Sequence, residues 1–251
     1  MITRTISALA IALAITCASA ANAQQPAPGA TSQGTPPLGD KLLVAVNVGA
    51  QTRSSTASRD FTFPVYGQTA AVTTSTSVDG GPIFDVSGTY RFMPKFGVGV
   101  GYSAFSKTGT AQGAASIPSP VFFNQPAAVA INAINAKHTE NNVYIVAAGY
   151  LPITNVVDLS VFIGPSFTRV KQDLINSVSV PAGTQNVVSA AQSESGTAKG
   201  VNVGADLSYR FTKLVGAGAF IRYNGGSVDL PSLTDVKAGG FQVGIGARLH
   251  F

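Results

Sequence analysis

Tryptophan is absent from this chain, and cysteine occurs once, at Cys17. Charge is scarce: 11% of the residues are Asp, Glu, Lys or Arg, where ordinary soluble domains carry roughly a quarter. So little charge is a poor match to a water-facing surface. Yet beyond residue 23 no run approaches the roughly 18 continuous apolar residues of a membrane helix. The remaining way to meet an apolar surrounding is by alternation along β-strands. The basic residues are scattered singly, which excludes a nucleic-acid footprint. No metal-ligand spacing, P-loop or dinucleotide fingerprint is present, so neither metal nor cofactor is expected. The GVGVG run (97–101) is read as strand glycine, because no helix start follows it.

The N-terminus reads as an export signal. Arg4 supplies the positive start, Ile6–Ile15 the apolar stretch, and Ala21-Asn22-Ala23 a small-x-small cleavage site. An anchor helix would need a longer apolar run. A lipoprotein reading would need Cys17 as the new first residue, preceded by a small residue, and Thr16 fits that poorly. Cleavage after Ala23 removes Arg4 and the only cysteine. One fewer than the 16 Lys and Arg of the whole chain, set against 11 Asp and Glu, leaves a formal charge of +4. Residues 24–39, with four prolines and almost no bulky apolar side chain, read as a disordered linker.

From residue 40 onward the chain alternates. Leu42, Val44, Val46, Val48 and Ala50 share one face; Phe84, Val86, Gly88, Tyr90 and Phe92 another; Phe96, Val98, Val100, Tyr102 and Ala104 a third. The segment around 141–152 is less regular, and Tyr144, Val146, Ala148 and Tyr150 are taken as its apolar face. Similar runs follow at 156–167, 199–211 and 214–223. The eighth, FQVGIGARLHF, keeps a two-residue period from Phe241 to Phe251. These periods predict strands. Short connections at 93–95, 152–155 and 212–213 alternate with long ones near 52–82, 106–139, 168–198 and 224–236. Two long ones hold β-like stretches of their own: DFTFPVY faces AAVTTSTSV across Gly67-Gln68, and DLINSVSV faces QNVVSAAQ across residues 181–184. These extra hairpins leave a total of eight or ten strands open. Residues 118–136 are the least readable and are expected to form a lid or short helix.

A soluble barrel and a membrane barrel share the two-residue period. Here the polar face is Gly, Ser and Asn with few Lys or Glu, unlike a soluble exterior. Aromatics cluster beside the short turns (Tyr90, Phe92, Phe96, Tyr150, Tyr209, Phe211 and Phe251) as in an interfacial girdle. Short and long connections alternate, as expected of two unlike sides of a membrane. An open sheet edge in hydrocarbon would leave backbone groups unpaired at several kcal/mol each, so the last strand is expected to pair with the first. The expected fold is all-β: a closed antiparallel up-and-down transmembrane β-barrel over residues 40–251, of eight strands, with extended hairpins on one side.

With these features the chain resembles the small outer-membrane β-barrels of Gram-negative bacteria, the OmpA/OmpX-type and OmpW-like porin-family proteins. The terminal VGIGARLHF is the most specific match. It resembles the C-terminal signal read by the barrel-assembly machinery, which makes Phe251, Leu249 and Ile245 candidate signal residues. The resemblance implies short turns in the periplasm, long loops outside, and outer-membrane lipid and lipopolysaccharide as surroundings. The missing Trp is a departure, with Tyr and Phe left to form the girdles.

Strand parity turns a polar set inward: Asp85, Arg91, Asp158, Asp206, Arg210, Arg222, Arg248 and His250, together with Asn47, Asn142 and Gln242. Either these pair into a packed polar core, or they filter charge in a narrow pore. An eight-stranded barrel is just wide enough to be filled by its side chains or to hold one small ligand, which favours the packed core. The many inward glycines argue for some empty volume. His138 is placed in a long loop near Glu140, and no nucleophile–base pair can be assembled. The function expected first is a structural or surface-interaction role through the long loops, with an extracellular ligand as partner. A narrow channel for small or apolar solutes stands second, and a lipid-A-modifying enzyme third.

Overall fold

The computed structural model describes residues 41–52, 55–119, 125–180 and 188–251. The export signal over 1–23 and the linker over 24–39 lie outside the described residues. Ten antiparallel strands form one sheet: β1 (Leu42–Gln51), β2 (Ser55–Val65), β3 (Gln68–Val78), β4 (Gly81–Met93), β5 (Phe96–Ile117), β6 (Ala127–Pro152), β7 (Val157–Ser179), β8 (Val188–Arg210), β9 (Val215–Leu230) and β10 (Leu233–His250). Eight of them close a ring in the order β4-β1-β10-β9-β8-β7-β6-β5, because β5 pairs with both β4 and β6. The first and last strands meet with Leu43 opposite His250 and Gln51 opposite Gln242. The Leu42 N–H donates to the Phe251 carbonyl at 2.9 Å, and the Phe251 N–H donates to the Leu42 carbonyl at 2.8 Å. Every ring strand therefore has a neighbour on both sides, as an apolar solvent requires.

The outer face of the ring is an apolar belt. Val48, Val100, Ile145, Ile163, Val201, Ile221 and Ile245 are all exposed on it. Aromatics rim it at both ends. Tyr90, Phe92, Phe96, Tyr209, Phe211 and Phe251 stand beside the short turns, and Phe84, Tyr102, Phe167, Tyr223 and Phe241 form a second rim toward the long hairpins. The sequence reading had only the first rim. Phe241 to Phe251 marks the belt's height, about 25 Å at about 3.3 Å per residue and a tilt of about 40°.

Two expectations fail on β6. Tyr144, Val146, Ala148 and Tyr150 are buried inside the ring, while Val143, Ile145 and Leu151 face outward. Tyr150 accordingly leaves the girdle. Both faces of this strand are apolar in sequence, and the deciding signal was Asn142, which is buried and shares the parity of Tyr144. The lid or helix expected over 118–136 is instead strand from Ala127 onward, continuous with β6 and paired to the far end of β5 (Ile117 opposite Ala127).

Beyond the belt the wall continues. Where β4 ends, β3 takes its place on the same edge of β5, with Ser77 opposite Thr110 and Ala71 opposite Ser116. β2 and β3 form the expected hairpin, but its turn is Tyr66-Gly67, both at positive φ (50° and 72°), one residue earlier than read. This geometry matches the right-handed twist of the flanking strands, and Gly67 adopts it without steric cost. β7 and β8 pair to Ser179 opposite Val188; the turn expected at 181–184 lies outside the described residues. Val72, Ile131, Ile175 and Val178 bury a second apolar core in this outer part, with Phe61 and Phe63 packed on it. At about 1.5–3 kcal/mol per buried aliphatic side chain, that core holds the hairpins together as a unit.

Candidate functional site

The ring interior is filled from one end to the other. At the short-turn end the Arg91 guanidinium lies 3.9 Å above the Tyr150 ring, and Arg210 Nη2 meets Asp158 Oδ2 at 3.4 Å. His250 is buried beside them, in a cavity of about 10 Å³ shared with Arg91, Tyr150, Asp158 and Asp206.

Above this layer Arg248 is wholly buried. Its Nη1 donates to Asn47 Oδ1 at 2.5 Å, its Nε to Asp206 Oδ1 at 3.2 Å, and its Nη2 to Asp206 Oδ2. The Asn47 Nδ2 donates in turn to Asp85 Oδ1 at 2.8 Å. Asp85 is the hub of the barrel centre. Its Oδ2 accepts from Arg222 Nη1 at 2.7 Å and from the Tyr144 hydroxyl at 2.8 Å. Arg222 also reaches Gln242 and lies 4.9 Å from the Tyr144 ring centre. Ile83, Phe105 and Phe220 form an apolar layer against this hub.

Toward the long hairpins the chain of bonds continues: Gln242 to Gln51 at 2.7 Å, Gln51 to Glu140 at 3.3 Å, and the Gly239 N–H to Glu140 at 3.0 Å. His138 is on β6, not in a loop. It is buried with Nε2 at 2.8 Å from Glu140 Oε1 and Nδ1 against Gln172 Oε1. Tyr144, Gln51, Glu140 and Gln172 belong to this network and were missed by the sequence reading. Parity with Asn142 would have found the two on β6. Among the described residues no group of His, Cys, Asp and Glu is arranged to hold a metal.

The inward glycines do not leave the interior empty. A Cβ on Gly101 would meet Tyr144 Cζ at 2.2 Å, and one on Gly218 would meet Arg248 Nε at 2.7 Å. These glycines are seats for the large side chains of the neighbouring strand. A cavity of only about 50 Å³ remains among Asn47, Asp85, Tyr144, Asp206, Arg222 and Arg248. That is room for a few waters.

The arrangement is a polar core in which buried Arg side chains are matched to carboxylates. Charges removed from water persist only when so compensated. Chemically it can fix the ring's cross-section and block passage along its axis.

Comparison with known families agrees with this architecture. A family model described as "Outer membrane protein beta-barrel domain" matches residues 8–248. No curated protein matches. Among solved structures, Neisserial surface protein A is similar at 16% identity and TM-score 0.46, over 84% of this chain and 96% of that one. OprG from Pseudomonas aeruginosa is similar at 12% identity and TM-score 0.45, over 84% and 96%. The outer membrane protease OmpT from Escherichia coli is similar at 12% identity and TM-score 0.46, over 85% and 98%.

Proposed function

Since this chain belongs to the outer membrane protein β-barrel domain family, and so resides in the cell outer membrane, we propose that it works as a closed barrel presenting its long hairpins at the cell surface for a structural or interaction role. The observation that carries this reading is the Arg222–Asp85–Tyr144 hub, which bridges opposite walls and with Arg248–Asp206 leaves about 50 Å³ free. A hydrated pore needs a continuous path, and side chains bonded across the lumen interrupt it. The mass of the protein outside the belt supports the same reading. The β2–β3 hairpin and the outer parts of β5–β8 form a packed wall with its own apolar core, and rigid loops on a scaffold are where contacts with other molecules concentrate.

In this reading residues 1–23 direct export and are removed, residues 24–39 are a periplasmic linker, and the short turns face the periplasm. The deciding experiment is planar-bilayer recording of the refolded barrel. No single-channel steps are expected, and reproducible steps from the unmodified protein would overturn the closed-barrel reading. Orientation is tested separately. An amine-reactive, membrane-impermeant reagent applied to intact cells should label Lys237 but not Lys95 or Lys213; the reverse pattern would invert the topology.

A further inference from the structure

We propose that the outer wall of β6–β8, just beyond the apolar belt, binds the phosphate groups of lipid A, the phosphorylated glycolipid of the outer leaflet. The site would consist of Arg169, Lys171 and Lys199, with Lys137 at its edge. On β7 the last apolar outward residue is Phe167, and the next outward positions are Arg169 and Lys171. Phe167 pairs with Lys199 on β8, and Arg169 pairs with Thr197, so Lys199 is the diagonal neighbour of Arg169. On the other side Arg169 faces Asn141 and Lys171 faces Thr139, two residues from Lys137. Diagonal neighbours on one sheet face are about 7–8 Å apart, and successive outward residues on one strand about 7 Å apart. Three long cationic side chains can therefore close on one phosphate, with Thr139, Asn141 and Thr197 as hydroxyl and amide donors between them.

The charges of this patch are unspent. Among the described residues none of Lys137, Arg169, Lys171 or Lys199 has an ion pair through its side chain. By contrast, Lys237 is held by Asp235 at 2.6 Å and the buried Arg222 by Asp85. Two carboxylates border the patch and are themselves engaged. Asp173 accepts from the Lys137 backbone N–H at 3.1 Å and from the Ser193 hydroxyl, and Asp229 accepts from the Asp235 N–H at 2.8 Å. The patch is also one-sided. In line with Lys199, β9 carries the uncharged Ser227 and β10 carries Lys237, whose charge Asp235 already meets; on β5 the residue in line with Lys171 is the uncharged Ser106.

Depth selects the ligand. The cations stand directly above the aromatic rim formed by Tyr102, Phe167 and Tyr223, where a bilayer places its headgroups. Arg and Lys there extend their stems along the apolar surface and hold their charges at headgroup level. A phosphate offers the charge-assisted bonds that suit them, and acyl chains on the same lipid continue down the belt below. The polar spacers suit a sugar-linked phosphate, which brings hydroxyls with it. The inference rests on the outward orientation of the long hairpins, but its test does not.

The test is binding of lipid A to the refolded mature barrel in non-ionic detergent, read by native mass spectrometry. Diphosphorylated lipid A is expected to remain bound to the wild type and to the K237Q control. The triple variant R169Q/K171Q/K199Q should retain it at least about tenfold less well, and lipid A stripped of its phosphates should bind neither protein well. Equal retention by the triple variant, or equal binding of dephosphorylated lipid A, would overturn the proposal. Displacement by millimolar inorganic phosphate would show a free-anion site instead, and preferential capture of a sulfated polysaccharide would show a glycan site; either also overturns it. Should the triple variant fail to fold, as judged by its heat-modifiable gel shift, the single variants R169Q and K171Q carry the same test. Because binding in detergent needs no topology, its failure is distinguishable from a failure of the surface-labelling experiment.

Discussion

Arg222 on β9 donates from Nη1 to Asp85 Oδ2 on β4 at 2.7 Å, although β1 and β10 stand between these strands in the ring. The bond spans the lumen rather than running along the wall. Both side chains are almost wholly buried, so neither charge is relieved by bulk solvent. Such a pair gives modest net stability when intact and a large penalty when one member is lost.

Asp85→Ala should therefore destabilise the barrel by about 3–5 kcal/mol, because it leaves the Arg222 charge uncompensated. Replacing both residues with apolar ones of similar volume, as in D85L/R222M, should recover most of the loss. Urea-unfolding midpoints followed by far-ultraviolet circular dichroism check this. A double variant that shortens both side chains, D85A/R222A, should also admit ions, and single-channel steps absent from the wild type are expected from it.

The Gly101–Tyr144 contact yields a second prediction. A Cβ at residue 101 would lie 2.2 Å from Tyr144 Cζ, so Gly101→Ala must push the ring aside and loosen its hydroxyl from Asp85. The expected cost is about 1–3 kcal/mol, as for overpacking elsewhere. In the Y144A background the same glycine substitution should cost far less, because the obstacle is gone. Additive effects in the double-mutant cycle would show that the two residues are not coupled.

Much of this structure was legible in advance because inward and outward are two-residue properties. The period of β10 told that Gln242, Arg248 and His250 share a face. The short turns told where strands reverse, and the extra hairpin at 60–78 was visible as β-branched residues around Gly67. Partnership was not legible. Asp85 finds Arg222 across the ring at a sequence separation of 137, and no local pattern encodes that meeting. β6 was misread because apolar residues occupy both of its faces, so alternation lost its contrast where the lumen itself is lined by Tyr144, Val146 and Tyr150. The inward glycines were misread for a related reason. A glycine marks space at its own backbone, and whether that space is filled depends on which side chain the paired strand sets beside it.

Phe251 closes the ring through two backbone bonds, one to and one from Leu42, while its ring stands exposed on the belt. The Phe251→Asp variant keeps the backbone bonds and places a charge at the lipid-facing rim. Deleting the residue removes the bonds as well. Both variants should assemble poorly in cells, and the deletion should be worse once refolded in vitro, because only it opens the ladder. Outer-membrane levels and the heat-modifiable gel shift measure the two effects. Wild-type levels of both variants would remove Phe251 from any role in assembly.

The outer wall should loosen in acid at one identifiable place. Glu194 on β8 accepts from the Ser232 N–H at 2.9 Å and from its hydroxyl, and from Asn176 Nδ2 at 3.2 Å; Asn176 in turn accepts from Arg59 on β2. This clasp joins the β2–β3 hairpin, the β7–β8 wall and the β9–β10 turn, all outside the belt. Burial works against the charge on Glu194, but the bonds from Ser232 and Asn176, with the nearby Arg59, more than reverse it and hold the carboxyl below its ordinary value of 4.5. A lowered carboxylate pKa stabilises the folded form fully above the ordinary value, and the contribution is lost as pH falls through the folded one. The clasp should thus be intact at neutral pH and through pH 5, and weaken below about pH 4. Amide exchange at Ser232 should rise in that window relative to amides in the belt, after correction for intrinsic rates. In the E194Q variant exchange at Ser232 should be faster at neutral pH and lose its acid dependence; an unchanged acid dependence there would assign the effect to another group.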